Sequence, residues 1–223
     1  MELGITRSLP KLFLITDRTQ ALGRPLLDVV KTALEGGVRL VQLREKELSV
    51  KELCDLAKEM RELTDRYGAK LLINDRVDIA IVAGADGVHL GQKSIPAADA
   101  RFAFKKIGMP SIIGVSTHSL EEALQAQSDG ADFITFGPVC FTPSKASYGE
   151  PLGIDKLREV TKAVGIPIYA LGGVKKGNIG EVLKGGAYGV AMISAIMSAN
   201  DVRKAVEELT MAIADHRPLA TGH

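Results

Sequence analysis

Arg44 and Lys46 stand two residues apart at the end of an apolar run, 40–44 (LVQLR), with Gln42 in step with both. Alternate side chains of a strand share a face, so the three can point the same way. Arginine offers a planar fork to a phosphate and lysine a point charge; the plain alternative is a surface pair on a loop. A second polar end comes from Gly172-Gly173 in ALGGV and Ser194 in MISAI. Glycine lets backbone approach an anion closely, and helix N-termini favour anions; the same glycines also read as a tight turn. Asn74-Asp75 closes another apolar run. A carboxylate there suits Mg²⁺, which uses one or two carboxylates plus substrate phosphates, although Asn74 or Asp75 could instead cap a helix. His89 and His118 could move protons or simply be hydrogen-bonded in place. Cys140 has no evident base beside it and reads as a passive loop residue. The segment 137–153 (GPVCFTPSKASYGEPLG) is long for a connection and suits a lid. There Thr142, Ser144 and Lys145 could close over an anion, with Tyr148 as a packing anchor.

These residues need a frame that brings strand ends together. Eight short apolar runs recur, at 12–16, 40–44, 70–74, 87–90, 112–116, 133–136, 168–171 and 189–193. Amphipathic stretches separate them, such as 50–67, where Leu53, Leu56, Ala57, Met60 and Leu63 recur at helical spacing. Glycines mark the returns from helix to strand, among them Gly68, Gly84, Gly130 and Gly165. Ser119 and Glu122 form a capping box, and the last helix spans about 201–215. Alternating strand and helix implies parallel strands joined by right-handed crossovers. Eight units suggest closure into a (β/α)₈ TIM barrel, with an open doubly wound sheet as the runner-up. A barrel places its active face at the C-terminal strand ends, where Gln42, Arg44, Lys46, Asn74, Asp75, Ser94, Ser116 and Ser194 fall.

The bulk numbers agree with one such unit over 1–223, with 1–10 as an N-terminal extension and 216–223 as a frayed tail. The 28 basic and 27 acidic residues leave a net charge of +1, with no basic stripe for nucleic acid. Two distant cysteines, no signal-peptide layout and no membrane-length apolar run point to a cytoplasmic protein. A homo-oligomer formed through helix faces is compatible with the sequence.

In order along the chain, LFLITDR, VQLREK, LLINDR, ADGVHLGQ, GVSTHS, GPVCFTPSK, ALGGV and VAMISAI resemble the thiamine phosphate synthase family, from about 12 to 197. The resemblance implies a (β/α)₈ barrel that joins hydroxymethylpyrimidine diphosphate to thiazole phosphate with Mg²⁺, releasing pyrophosphate. It implies a pyrimidine diphosphate site of Gln42, Arg44, Lys46, Asn74, Ser116 and Lys145, with Arg44 and Lys145 on the pyrophosphate. It implies Asp75 as a Mg²⁺ ligand, and Thr142, Gly173, Ile193 and Ser194 around the thiazole phosphate. One position departs: the family's second metal aspartate is here Ser94. The related thiazole tautomerase, an isomerase without the metal chemistry, shares several motifs and a histidine resembling His118. Other rivals are a sugar-phosphate isomerase and a non-catalytic sensor of thiazole phosphate.

Overall fold

The computed structural model describes residues 9–142 and 150–216. Eight parallel strands close on themselves in sequence order: β1 (Leu12–Ile15), β2 (Leu40–Leu43), β3 (Lys70–Asn74), β4 (Gly87–Leu90), β5 (Ile112–Thr117), β6 (Phe133–Phe136), β7 (Ile168–Leu171) and β8 (Gly189–Met192). The barrel shuts where Phe13 pairs with Ala191. The open-sheet alternative is thereby excluded. Helices follow the strands: α1 (Leu26–Glu35), α2 (Val50–Arg66), α3 (Val77–Ala83), α4 (Ala97–Lys106), α5 (Leu120–Ser128), α6 (Gly153–Ala163) and α7 (Ile179–Lys184), then α8 (Ser194–Met197) and α9 (Val202–Ala214). No helix among the described residues is long and apolar enough to cross a membrane.

The strand ends differ from the sequence pattern by single residues. Thr16, Arg44 and Ile193, expected as strand residues, lie just past their strands, whereas β5 continues one residue further than expected, to Thr117. Outward-facing residues such as Leu14, Val41, Ile73 and Val190 pack against the helices. Inward-facing Phe13, Leu72, Phe133, Tyr169 and Ala191 fill the barrel. Phe13, Phe133 and Tyr169 meet edge to face, with centroids 5.3–5.7 Å apart, contacts worth about 0.5–1.5 kcal/mol each beyond area burial. Glycine makes room for these rings. A Cβ on Gly114 would stand 2.2 Å from the Phe133 ring, and one on Gly189 would stand 2.9 Å from Tyr169. The Tyr169 hydroxyl donates to the Pro10 carbonyl at 2.6 Å, so this deep tyrosine has its polar tip satisfied.

Helix ends show which local rules held. Gly84 closes α3 in the left-handed conformation, as expected of a helix-ending glycine. Gly165 does not: α6 ends at extended Val164, and the Gly165 N–H donates to Gln127 Oε1. Ser119 caps α5 by accepting from the Glu122 N–H, but the Glu122 carboxylate takes the N–H of His118 instead of closing the box. The complete capping box is at Ser49 and Glu52, at the start of α2. The expected extension 1–10 is described only from Leu9, and of the expected tail only His216 is described.

Candidate active site

Along β2 to β6 the inward positions change character toward the C-terminal end. Gln42, Asn74, His89, Ser116 and Thr135 replace the phenylalanines and leucines of the layer below, and they join into one row. Gln42 Nε2 donates to Asn74 Oδ1 at 2.8 Å, and Gln42 Oε1 lies 2.8 Å from His89 Nδ1. On the other side of the imidazole, Thr135 Oγ1 lies 3.3 Å from Nε2 and 3.4 Å from Ser116 Oγ. Gln42, His89 and Thr135 are buried, whereas Asn74 and Ser116 are half-buried and border the open rim. Burial, and then the positive charge of Arg44, push the His89 pKa down to about 3. Both causes disfavour the charged imidazole at this position.

Arg44 and Lys46 follow Gln42 past the strand end. Arg44 is half-buried, and its charge reaches both Asp17 and His89; Lys46 is exposed. The intervening Glu45 points the other way and is 3% exposed. It accepts from the Thr16 hydroxyl at 2.5 Å and from the Arg18 N–H at 2.9 Å, while the Arg44 N–H donates to Thr16 Oγ1 at 2.9 Å. These bonds staple the cationic loop to the end of β1. Burial pushes the Glu45 carboxyl up, against the pull of its two donors. Glu45 is not among the residues that the sequence singles out; the threonine at the neighbouring strand end was the available signal.

Asp75 sits beside this row in the left-handed region, at φ 64°, a conformation that costs a non-glycine residue energy and clusters at functional sites. Its carboxylate is exposed and accepts no hydrogen bond from the described residues. Neither Asn74 nor Asp75 caps the following helix: the N-cap of α3 is Arg76, with no side-chain cap. Capping fails because Asn74 is taken by Gln42 and the Asp75 N–H is turned to the His89 carbonyl at 3.0 Å. Ser94, expected where the family has a second metal aspartate, has its hydroxyl oxygen accepting from the Gly91 N–H at 2.7 Å. Among the described residues no group of three or more His, Cys, Asp or Glu could hold a metal by itself. One exposed rim carboxylate beside a cationic loop fits Mg²⁺ of the kind that a phosphorylated ligand carries with waters in its shell.

The opposite part of the rim forms a cleft of about 410 Å³. Thr142, Gly173, Ile193 and Ser194 all line it, together with Gln20, His118 and Lys175. Gly172 and Gly173 both have positive φ, and their missing Cβ atoms face the β6 loop: a Cβ on Gly173 would stand 2.4 Å from the Phe141 carbonyl oxygen. That loop pairs with the end of β7 through Val139 N–H to Leu171 O and Cys140 N–H to Gly172 O. The glycine pair is thus required by the turn and by this loop, whatever the cleft binds. Ser194 is the first residue of α8, and Ile193 is its N-cap. Arg24 secures the other end of α8, donating to the carbonyls of Met197 at 2.7 Å and Ala199 at 2.9 Å. His118 is held through Nδ1 on the Gly137 carbonyl at 2.5 Å. Burial, and then Glu181, push the Cys140 thiol up, which suits a passive residue rather than a nucleophile. Pro143, Ser144, Lys145 and Tyr148 lie outside the described residues. A larger hollow of about 770 Å³ opens at the opposite end of the barrel, among Leu9, Val164, Tyr188 and His216, and contains none of the rim groups.

A closed (β/α)₈ barrel with an anion-suited cleft at β7 and β8 and a cationic loop after β2 defines a phosphate-binding barrel enzyme class. The family model for thiamine monophosphate synthase matches residues 12–196. The thiamine-phosphate synthase of Clostridium tetani is 46% identical over 199 residues, covering 89% of this chain and 93% of its own length. A relative from Geobacter sulfurreducens is 60% identical over 198 residues, covering 89% and 92%. Among solved structures, the thiamine phosphate pyrophosphorylase of Pyrococcus furiosus superposes with a TM-score of 0.81 at 42% identity, covering 92% of this chain and 96% of that one. The chain belongs to the thiamine monophosphate synthase family.

Proposed function

We propose that the chain is a transferase that condenses hydroxymethylpyrimidine diphosphate with thiazole phosphate, giving thiamine phosphate and pyrophosphate. The observation that carries this reading is a polar row with a cationic loop on one part of the rim and a separate cleft on another, in a member of this family. A polar row running from Asn74 to Ser116, flanked by Arg44 and Lys46, suits a pyrimidine with its diphosphate. The cleft of Thr142, Gly173, Ile193 and Ser194 suits a second, singly phosphorylated ring. Arg44 and Lys46 neutralise the diphosphate, so that the C–O bond of the pyrimidine methylene breaks with its electron pair leaving on pyrophosphate. Asp75 would hold Mg²⁺, which supplies further positive charge to the diphosphate. The thiazole nitrogen, fixed through its phosphate across the rim, donates its lone pair to the methylene carbon. Neither bond change needs an enzyme nucleophile, in keeping with a Cys140 thiol that burial pushes up; positioning and electrostatics supply the rate. Acting on small phosphorylated molecules, the enzyme belongs in the cytoplasm.

The test supplies both substrates to the purified protein with Mg²⁺ and then with chelator. Equimolar thiamine phosphate and pyrophosphate, formed only with the metal, are expected. Metal-independent isomerisation of a single thiazole phosphate, without condensation, would instead establish the tautomerase chemistry for which His118 stands in the cleft.

A further inference from the structure

His89 sits at the centre of the polar row and is buried. Its ring stacks on Phe133 with centroids 5.7 Å apart and planes 12° apart, and it meets the edge of Phe13. Gly114 makes this possible, since a Cβ there would lie 2.7 Å from His89 Cδ2. A neutral imidazole carries one proton, and its place decides what both neighbouring amides present. Gln42 Oε1, which can only accept, faces Nδ1, so the proton is on Nδ1 and the unprotonated Nε2 faces the Thr135 hydroxyl at 3.3 Å. With its oxygen thus engaged, Gln42 turns its NH₂ to Asn74 Oδ1. Asn74 is left with two N–H donors that no described residue accepts, at the half-buried border of the rim. The opposite tautomer would reverse every bond in the row and leave Asn74 offering its oxygen.

Resting on the assignment of Gln42 and Asn74 to the pyrimidine half-site, we propose that His89 is a positioning residue whose Nδ1–H tautomer fixes the amide of Gln42 and, through it, that of Asn74. The rim then presents donors to the substrate, and the half-site selects a heteroaromatic ring with an acceptor nitrogen over one with a donor there.

Two measurements test this. Long-range ¹H–¹⁵N NMR of the wild-type protein reads the His89 tautomer directly and needs no variant to fold; Nδ1–H is expected and Nε2–H would overturn the proposal. Calorimetric binding of hydroxymethylpyrimidine diphosphate and of thiazole phosphate is then compared in His89→Asn, His89→Gln and His89→Leu. An asparagine amide stands where Nδ1–H was, whereas a glutamine amide reaches only toward Nε2. His89→Leu and His89→Gln should weaken the pyrimidine ligand by about tenfold, the scale of one misdirected buried hydrogen bond. His89→Asn should restore most of that affinity, and thiazole phosphate affinity should stay unchanged throughout. Equal pyrimidine affinity in all variants, or an asparagine no better than leucine, would sink the relay alone. A wild-type protein that fails to bind the pyrimidine ligand would overturn the functional reading beneath it.

Discussion

The imidazole of His89 is faced by one charged group, Arg44, and otherwise by Gln42, Thr135, Phe13 and Phe133. Its pKa is about 3 in the folded protein, against about 6.5 in an unfolded chain. Between those values the unfolded chain binds a proton that the native state refuses, so stability falls as pH drops from about 6.5 toward about 3. Thermal unfolding between pH 4 and 7 should therefore show a shallower decline in Tm for His89→Asn than for the wild type; parallel curves would mean that the ring is protonated in the folded state. The sequence carried this histidine only as one of two rim candidates. Nothing local marks it as buried, because its partners come from β2 and β6, distant in sequence and adjacent only once the barrel closes. Gln42, Arg44 and Lys46 were legible because their spacing of two matches the strand period. The alternative reading of Asn74 or Asp75 as a helix cap does not hold, and Asn74 is engaged instead by a side-chain bond from the neighbouring strand.

At the scale of the element, the strands were readable nearly to the residue, since strands covered on both faces are continuous apolar runs. Their ends were less so: Thr16, Arg44 and Ile193 continue the pattern but not the pairing. What the pattern could not show is why certain strand residues are glycine. Gly114 lies within β5, where glycine ordinarily weakens a strand, and it is there because Phe133 and His89 fill the space of its side chain. Gly114→Ala should destabilise the protein by about 1–3 kcal/mol, the usual cost of overpacking, measured by denaturant unfolding. The same substitution should weaken pyrimidine binding more than thiazole phosphate binding, since the displaced ring is the one that orients Gln42. A substitution without effect on either would show that β5 can shift freely. The S-x-x-E signature at Ser49 was as readable as the one at Ser119, yet only the former closes both bonds, because Glu122 finds the His118 N–H first.

The whole barrel turns local pieces into a site. Its interior is aromatic and aliphatic below and polar above, so a polar row spanning β2 to β6 is held from beneath by packed rings and opens at one end only. Two further ties fix the rim from outside: Glu45 staples the β2 loop to β1, and Arg24 holds α8 from its C-terminal side. In the proposed reading this single rim is two half-sites, one for each substrate. Steady-state kinetics with both substrates varied, for Asn74→Ala and Ser194→Asp, tests it most directly. Removing the Asn74 amide should raise KM for the pyrimidine diphosphate about tenfold, one lost hydrogen-bonding group, with KM for thiazole phosphate unchanged. A carboxylate at Ser194 should repel the phosphate across the rim and raise KM for thiazole phosphate alone. If each variant instead shifts both constants together, or shifts the other substrate's constant, the division of the rim is wrong.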